Sequence, residues 1–180
     1  TQANNYSADD EEKNIPYAAG TSFHQSLKSQ LNTFRLNDEE YAIAEFLLGS
    51  IDDSGYIRRA LIDIVDDLAF TENIFTTETV VIGILKKVIQ TLDPIGVGAR
   101  NLRECLIIQL KAKDKTKFRS IAIEVLEDAF DHFVKKHYQK LQEKFTVSEA
   151  ELKEVIQEIS KLNPKPGSSY AGNDKIAEQI

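Results

Sequence analysis

Apolar residues recur at intervals of three and four through most of the chain, a spacing that predicts helices nearly end to end. Phe23, Leu27, Leu31 and Phe34 make the first stripe, on a helix over 22–34. Asn37, with Glu40 three residues on, has the pattern of a reciprocal N-cap for a second helix. The inner face of that helix is Ala44, Leu48 and Ile51, backed by Ile43 and Leu47, and Ser54-Gly55 stops it. A third helix is expected over 58–69. A fourth follows Thr76 or Thr77 with the seam Val81, Leu85, Val88, Leu92, and ends near Asp93 because Pro94 disfavours helical geometry before it. Asn101 and Glu104 repeat the cap pattern at the head of a fifth helix through about Lys113, with Leu102, Leu106 and Leu110 as its stripe. A long helical stretch over 116–145, broken near His137, would bury Val125, Ala129, Phe133 and Leu141. The last helix starts at Ser148, with Glu151 completing its cap, buries Leu152, Val155, Ile159 and Leu162, and stops at Asn163-Pro164-Lys165-Pro166-Gly167. No strand-and-hairpin pattern occurs. The fold class expected is all-α: two small helical bundles of about four and three helices, joined by a Gly-rich turn.

Composition sharpens this. The 180 residues are 42% hydrophobic, enough for a core. The single cysteine, Cys105, excludes a disulfide framework or thiolate metal cluster, fits a reducing cytoplasm, and lies on an apolar helix face as a core residue would. No apolar run approaches the ~18 residues of a membrane span, and no membrane partner is expected. The absence of methionine leads us to expect a piece of a longer protein.

The net charge of −7 argues against a free-standing nucleic-acid binder. It is unevenly spread: −8 over residues 1–100, +3 over 101–145 and −2 beyond. Residues 1–21, with Asp9, Asp10, Glu11 and Glu12 in a row, read as an acidic tail.

Candidate chemistry is sparse. His132 and His137 are five apart, so on one continuous helix they point roughly 140° from each other, poor geometry for a shared metal. Asp52 and Asp53 lack the alternating oxygen ligands of a calcium loop. A Gly-x-Gly turn before a helix, with Arg100 as counter-charge, could in principle cradle a phosphate. No strand precedes it and no lysine-serine pair follows, so a tight interhelical connection is the better reading. No catalytic residue, cofactor site or metal site is expected.

The pointed segment is Asp93-Pro94-Ile95-Gly96-Val97-Gly98-Ala99-Arg100-Asn101-Leu102, continuing into Glu104-Cys105-Leu106 and Gln109-Leu110. It resembles the signature of the sigma-54 family, the enhancer-dependent sigma factors of bacterial RNA polymerase. Three further matches come in order: Ser26-Leu27 with Gln30-Leu31, Ile51-Asp52-Asp53-Ser54-Gly55-Tyr56-Ile57, and Leu162-Asn163-Pro164-Lys165-Pro166-Gly167. The resemblance spans 22–167 and implies the family's all-helical core-binding region. It implies a first subdomain over 22–94, a second over 95–163, and a linker over 164–180 toward a DNA-binding region outside the chain.

The partner implied is core RNA polymerase, in the cytoplasm. Promoter DNA and the activator ATPase would be met only through regions outside this chain. We expect the acidic first bundle to carry the main contact, with Arg58 and Arg59 as contact residues. The 93–102 segment is expected to be a structural hinge between the bundles, with direct polymerase contact as the alternative. The competing reading is a helical adaptor with another protein partner, which would not require four ordered motifs.

Overall fold

The computed structural model describes residues 22–168; the acidic stretch over 1–21 and most of the expected linker lie outside them. Among the described residues the fold is all-α, with no strand, and an isolated antiparallel bridge joins Ile51 and Ile57. The helices are α1 over 22–31, α2 (Asp38–Gly49), α3 (Leu61–Glu72), α4 (Glu78–Lys87), α5 (Leu102–Ala112), α6 (Lys117–Asp128), α7 (Phe130–Val134), α8 (Tyr138–Phe145) and α9 (Glu149–Ser160). A 3₁₀ turn, Ile89–Thr91, follows α4.

The chain divides into two units, each with its own core. The first takes residues 22–98 together with 165–168, and the second 99–164. The chain therefore crosses twice, at Gly98–Ala99 and at Pro164–Lys165.

In the first unit Phe23, Leu27 and Leu31 of α1 pack with Ile43, Ala44, Leu47 and Leu48 of α2, and with Ile64 and Leu68 of α3. The seam Val81, Leu85, Val88, Leu92 is buried throughout. Burying a leucine fully contributes ~1.5–3 kcal/mol, so these side chains, not helix propensity, hold the unit together. α2 begins as its sequence demands. The Asn37 side chain accepts from the Glu40 amide at 2.8 Å, and Glu40 accepts from the Asn37 amide at 3.0 Å. It ends earlier than the stripe suggests, at Gly49, because Ile51 leaves the helix to bridge Ile57. α3 starts three residues later than expected, because the chain is still extended at Ala60 (ψ 145°). α4 stops at Lys87, and the 3₁₀ turn carries Ile89 and Leu92 inward.

In the second unit α5, α6, α8 and α9 contribute Leu106, Leu110, Ala122, Val125, Leu126, Leu141, Leu152, Val155 and Ile159 to one core. α9 is capped by Ser148 and Glu151 reciprocally, at 3.1 and 3.0 Å. Leu102 departs from the expected stripe: at the first turn of α5 it is 42% exposed, whereas Leu106 and Leu110 are buried. The long stretch over 116–145 is three helices rather than one. It breaks at Ala129 (φ −141°, ψ 33°) and again over Lys135–His137, where Lys136 takes φ 60°. Those breaks overturn the expectation for the histidines. Freed from a common helical register, His132 and His137 bring their Nδ1 atoms within 3.3 Å, with ring centroids 5.6 Å apart.

Candidate functional site

In the first unit three of the quoted segments meet. Asp52 builds a turn on itself. Its Oδ1 accepts from the amides of Ser54 (2.9 Å) and Tyr56 (3.0 Å), and its carbonyl accepts from Gly55 at 3.0 Å. A short acidic side chain that reaches backbone amides two and four residues on is what a turn of this kind requires. The carboxylate that could suggest a cation ligand thus serves its own backbone. Two other chain segments dock on this turn. The Gly98 amide donates to Gly55 O at 2.8 Å, and the Gly167 amide donates to Ser54 O at 2.9 Å. At Gly167 a Cβ would sit 2.3 Å from Asp53 O and 2.8 Å from Gly55 N, both backbone, so only glycine allows the exit segment to lie this close.

The 93–102 segment is consumed by such contacts. Gln30, on α1, grips the backbone of Asp93 with both ends of its carboxamide: Nε2 donates to Asp93 O and Oε1 accepts from Asp93 N, each at 2.8 Å. Pro94 follows across a cis peptide bond. Gly96 has φ 106° and Gly98 φ 79°. Val97 is fully buried in the first core, and Gln90 Nε2 donates to Gly98 O at 3.0 Å. The Val97 amide returns to Pro94 O at 3.2 Å.

Beyond the crossing, in the second unit, Ala99 is buried and Asn101 caps α5 by accepting from the Glu104 amide at 2.8 Å. The Glu104 carboxylate takes the Arg100 amide (2.8 Å) and its guanidinium (3.0 and 2.5 Å). This hydrogen bond raises the Arg100 pKa above its already high ordinary value. The guanidinium that would face a bound anion is held by a carboxylate, and the amides of Val97, Gly98, Arg100 and Glu104 all have acceptors. The arrangement offers no cradle for a phosphate.

The second unit repeats the glutamine device. Gln109, buried on α5, donates from Nε2 to Asn163 O at 2.6 Å and accepts from Asn163 N at 2.8 Å. Its Nε2 also lies 3.2 Å from the buried Cys105 Sγ. Neither clasp was read from the sequence, although a glutamine on an apolar face between Leu106 and Leu110 signals a buried amide that must find partners. Arg103 was also missed. It donates to Leu126 O at 2.7 Å and to Glu127 O, closing the carbonyl end of α6.

Arg58 and Arg59 sit in the connection before α3. Arg58 lies 4.3 Å over the Tyr56 ring and donates to Asp52 Oδ2 at 3.3 Å. Arg59 grips Asp67 through two bonds, at 2.6 and 3.0 Å, and its pKa is raised by them. Both side chains remain more than half exposed. Among the described residues no three His, Cys, Asp or Glu side chains gather as metal ligands would, and no helix is long and apolar enough to cross a membrane.

The family model for the sigma-54 factor core binding domain matches residues 14–180. The chain belongs to this family. Among relatives of the core-binding domain, the RNA polymerase sigma-54 factor of Pseudomonas aeruginosa (strain UCBPP-PA14) is 32% identical over 158 residues, covering 87% of this chain and 31% of the relative. That of Caulobacter vibrioides is 33% identical over 144 residues, 80% of this chain and 27% of the relative. That of Acidithiobacillus ferridurans is 36% identical over 149 residues, 81% of this chain and 30% of the relative. The chain thus spans about 30% of the length of these curated relatives. All four segments quoted from the sequence fall inside the core-binding domain match.

Proposed function

We propose that this chain docks onto core RNA polymerase as the binding module of a sigma-54-type initiation factor. The observation that carries the reading is the family match over residues 14–180. The structure supports it with a scaffold whose signature residues serve backbone geometry rather than chemistry. The role is one of binding, not catalysis. An acidic first unit suits a protein partner with basic surfaces better than it suits DNA.

The first unit carries the main contact in this proposal, with Arg58 and Arg59 exposed at its edge. The 93–102 segment is a structural connection, because the amides of Asp93, Val97, Gly98 and Arg100 and the carbonyls of Asp93, Pro94, Gly98 and Asn101 are engaged within the units. Promoter DNA and an activator ATPase belong to other regions of the intact factor.

The test is a titration of the full chain against purified core RNA polymerase, with an intact sigma-54 factor as competitor, at two salt concentrations. Saturable binding that the competitor displaces is expected. A folded, helical chain that shows no competed binding would sink the proposal and favour an adaptor with a different protein partner.

A further inference from the structure

Two phenylalanines of the first unit stand in solvent. Phe70, in the last turn of α3, is 88% exposed, and Phe75, in the connection to α4, is 76% exposed. Isolated apolar residues at a surface are ordinary; these two sit five residues apart on a stretch whose backbone is fixed. α3 ends with Asn73 in the left-handed conformation (φ 55°), and the Ile74 amide returns to Leu68 O at 3.0 Å. Ile74 then packs against the core, which pins the chain on the near side of Phe75. On the far side the Thr77 side chain caps α4. Both rings are therefore presented from an ordered support, which lowers the entropic cost of using them as anchors.

The charge around them is one-sided. From Arg59 to Lys86 there is no basic residue, while Asp63, Asp66, Asp67, Glu72 and Glu78 lie between them. Asp67 is neutralised by Arg59. The other four are in no ion pair among the described residues, although Asp63 and Asp66 also act on the Arg59 charge. On α3, Asp63, Asp66 and Phe70 fall at i, i+3 and i+7, one strip of the helix, roughly opposite the buried pair Ile64 and Leu68.

We propose that this strip and the α3–α4 connection form the polymerase-docking surface, with Phe70 and Phe75 entering an apolar pocket rimmed by lysine or arginine side chains on core RNA polymerase. The proposal rests on the core-binding reading above and names the surface for it. The charge selects the occupant. A second copy of the chain meeting this face symmetrically would set acids against acids. An anionic membrane or a nucleic acid would meet the same repulsion. A basic-rimmed protein pocket is drawn to the acids, the Arg59 charge being already held by Asp67.

The experiment titrates the full chain, labelled at one position, with core RNA polymerase. Phe70→Ala and Phe75→Ala are each expected to weaken binding roughly tenfold or more, as central aromatic anchors do. Val134→Ala, at a 56% exposed position of the second unit, is expected to leave it unchanged. Helicity and the unfolding midpoint of all three should match the parent, since the removed atoms face solvent. Asp63→Lys with Asp66→Lys should slow association and weaken its salt dependence. A double phenylalanine variant that binds within twofold of a binding-competent parent overturns the surface and leaves the polymerase reading standing. A parent chain that does not bind takes both down. Sedimentation at the titration concentration closes the remaining alternative: a parent dimer that the double variant dissolves, with polymerase affinity intact, assigns the face to a second copy instead.

Discussion

Replacing Gly98 by alanine adds one methyl group and should destabilise the first unit by about 2–4 kcal/mol. Gly98 holds φ +79°, where an L side chain costs ~1–2 kcal/mol. Its Cβ would meet Ile89 Cγ2 at 2.8 Å, with Gln90 Cγ at 3.4 Å and Leu85 Cδ1 at 3.6 Å. Ile89 and Leu85 are fully buried, so the overlap is not relieved by swinging a side chain into water, and overpacking of this kind costs ~1–3 kcal/mol. The alternative is for the turn to move. That would break the Gly98 amide bond to Gly55 O and the Gln90 bond to Gly98 O, each worth about 0.5–1.5 kcal/mol net and more where a buried group is left unpaired. Both routes arrive at a similar cost.

Gly83→Ala is the internal control. Gly83 lies inside α4 with nothing within 4 Å of its Cβ position, so the same methyl group should stabilise by ~0.5–1 kcal/mol. Urea unfolding followed by circular dichroism, with amide signals of the first unit followed by NMR, reads both variants. Gly98→Ala within 0.5 kcal/mol of the parent, or the two substitutions shifting stability in the same direction, would refute the account of the turn.

Three further outcomes test the second unit. Leu106→Ala should cost about 2–5 kcal/mol in urea unfolding, since its side chain is 6% exposed in that core. Gln109→Glu keeps the acceptor for Asn163 N but at pH 8 sets an ionised carboxylate oxygen against Asn163 O in a buried site, whereas Gln109→Ala loses both bonds without burying a charge; the alanine variant should be less stable than the parent by about 1–3 kcal/mol, and the glutamate variant the less stable of the two at pH 8. Glu158 and Glu151 both have pKa values lowered below the ordinary 4.5, Glu158 chiefly by the Arg119 hydrogen bond and Glu151 chiefly by the Ser148 amide. Because the folded state holds these groups ionised, their stabilisation is present above pH 4.5 and is lost as pH falls below it through the folded values. Acid unfolding monitored on α9 should therefore shift to higher pH in Arg119→Ala.

Much of the fold is legible in the sequence because burial is periodic. The seam Val81, Leu85, Val88, Leu92 and the set Leu152, Val155, Ile159, Leu162 can be read three and four apart, and they are buried where they are read. The Asn37 and Ser148 caps carry their partners three residues on. What periodicity cannot give is where helices stop when a tertiary contact decides. α2 ends at Gly49 because Ile51 pairs with Ile57, and α3 starts late because the chain is still extended at Ala60. The break near His137 is visible in outline, but the pairing of its imidazole with His132 depends on a left-handed lysine, Lys136, that no pattern announces. Phe70 escapes for the opposite reason. α3 holds more apolar residues than one face can bury, and only packing shows which of them is left outside.

The two glutamine clasps give the signature segments a common physical meaning. Asp93 and Asn163 each precede a proline, so neither can continue a helix, and each would leave both its N–H and its C=O in search of partners. A carboxamide is the geometric complement of a peptide edge: one donor and one acceptor, side by side. Gln30 supplies it to Asp93 in the first unit and Gln109 supplies it to Asn163 in the second. Each unit thereby fixes the stretch of chain that leads out of it, at Gly98–Ala99 and at Pro164–Lys165. Gly98 and Gly167 then give their amides to adjacent residues of one Asp52-built turn, bonding to Gly55 O and Ser54 O. Gly98 and Gly167 are thus demanded by backbone geometry, and the amides and carbonyls of Asp93, Gly98 and Asn163, with the Gly167 amide, are spent within the units. A partner protein has to be met by side chains that the fold does not use, and Phe70, with almost its whole surface in solvent at the end of an ordered helix, is the plainest of these.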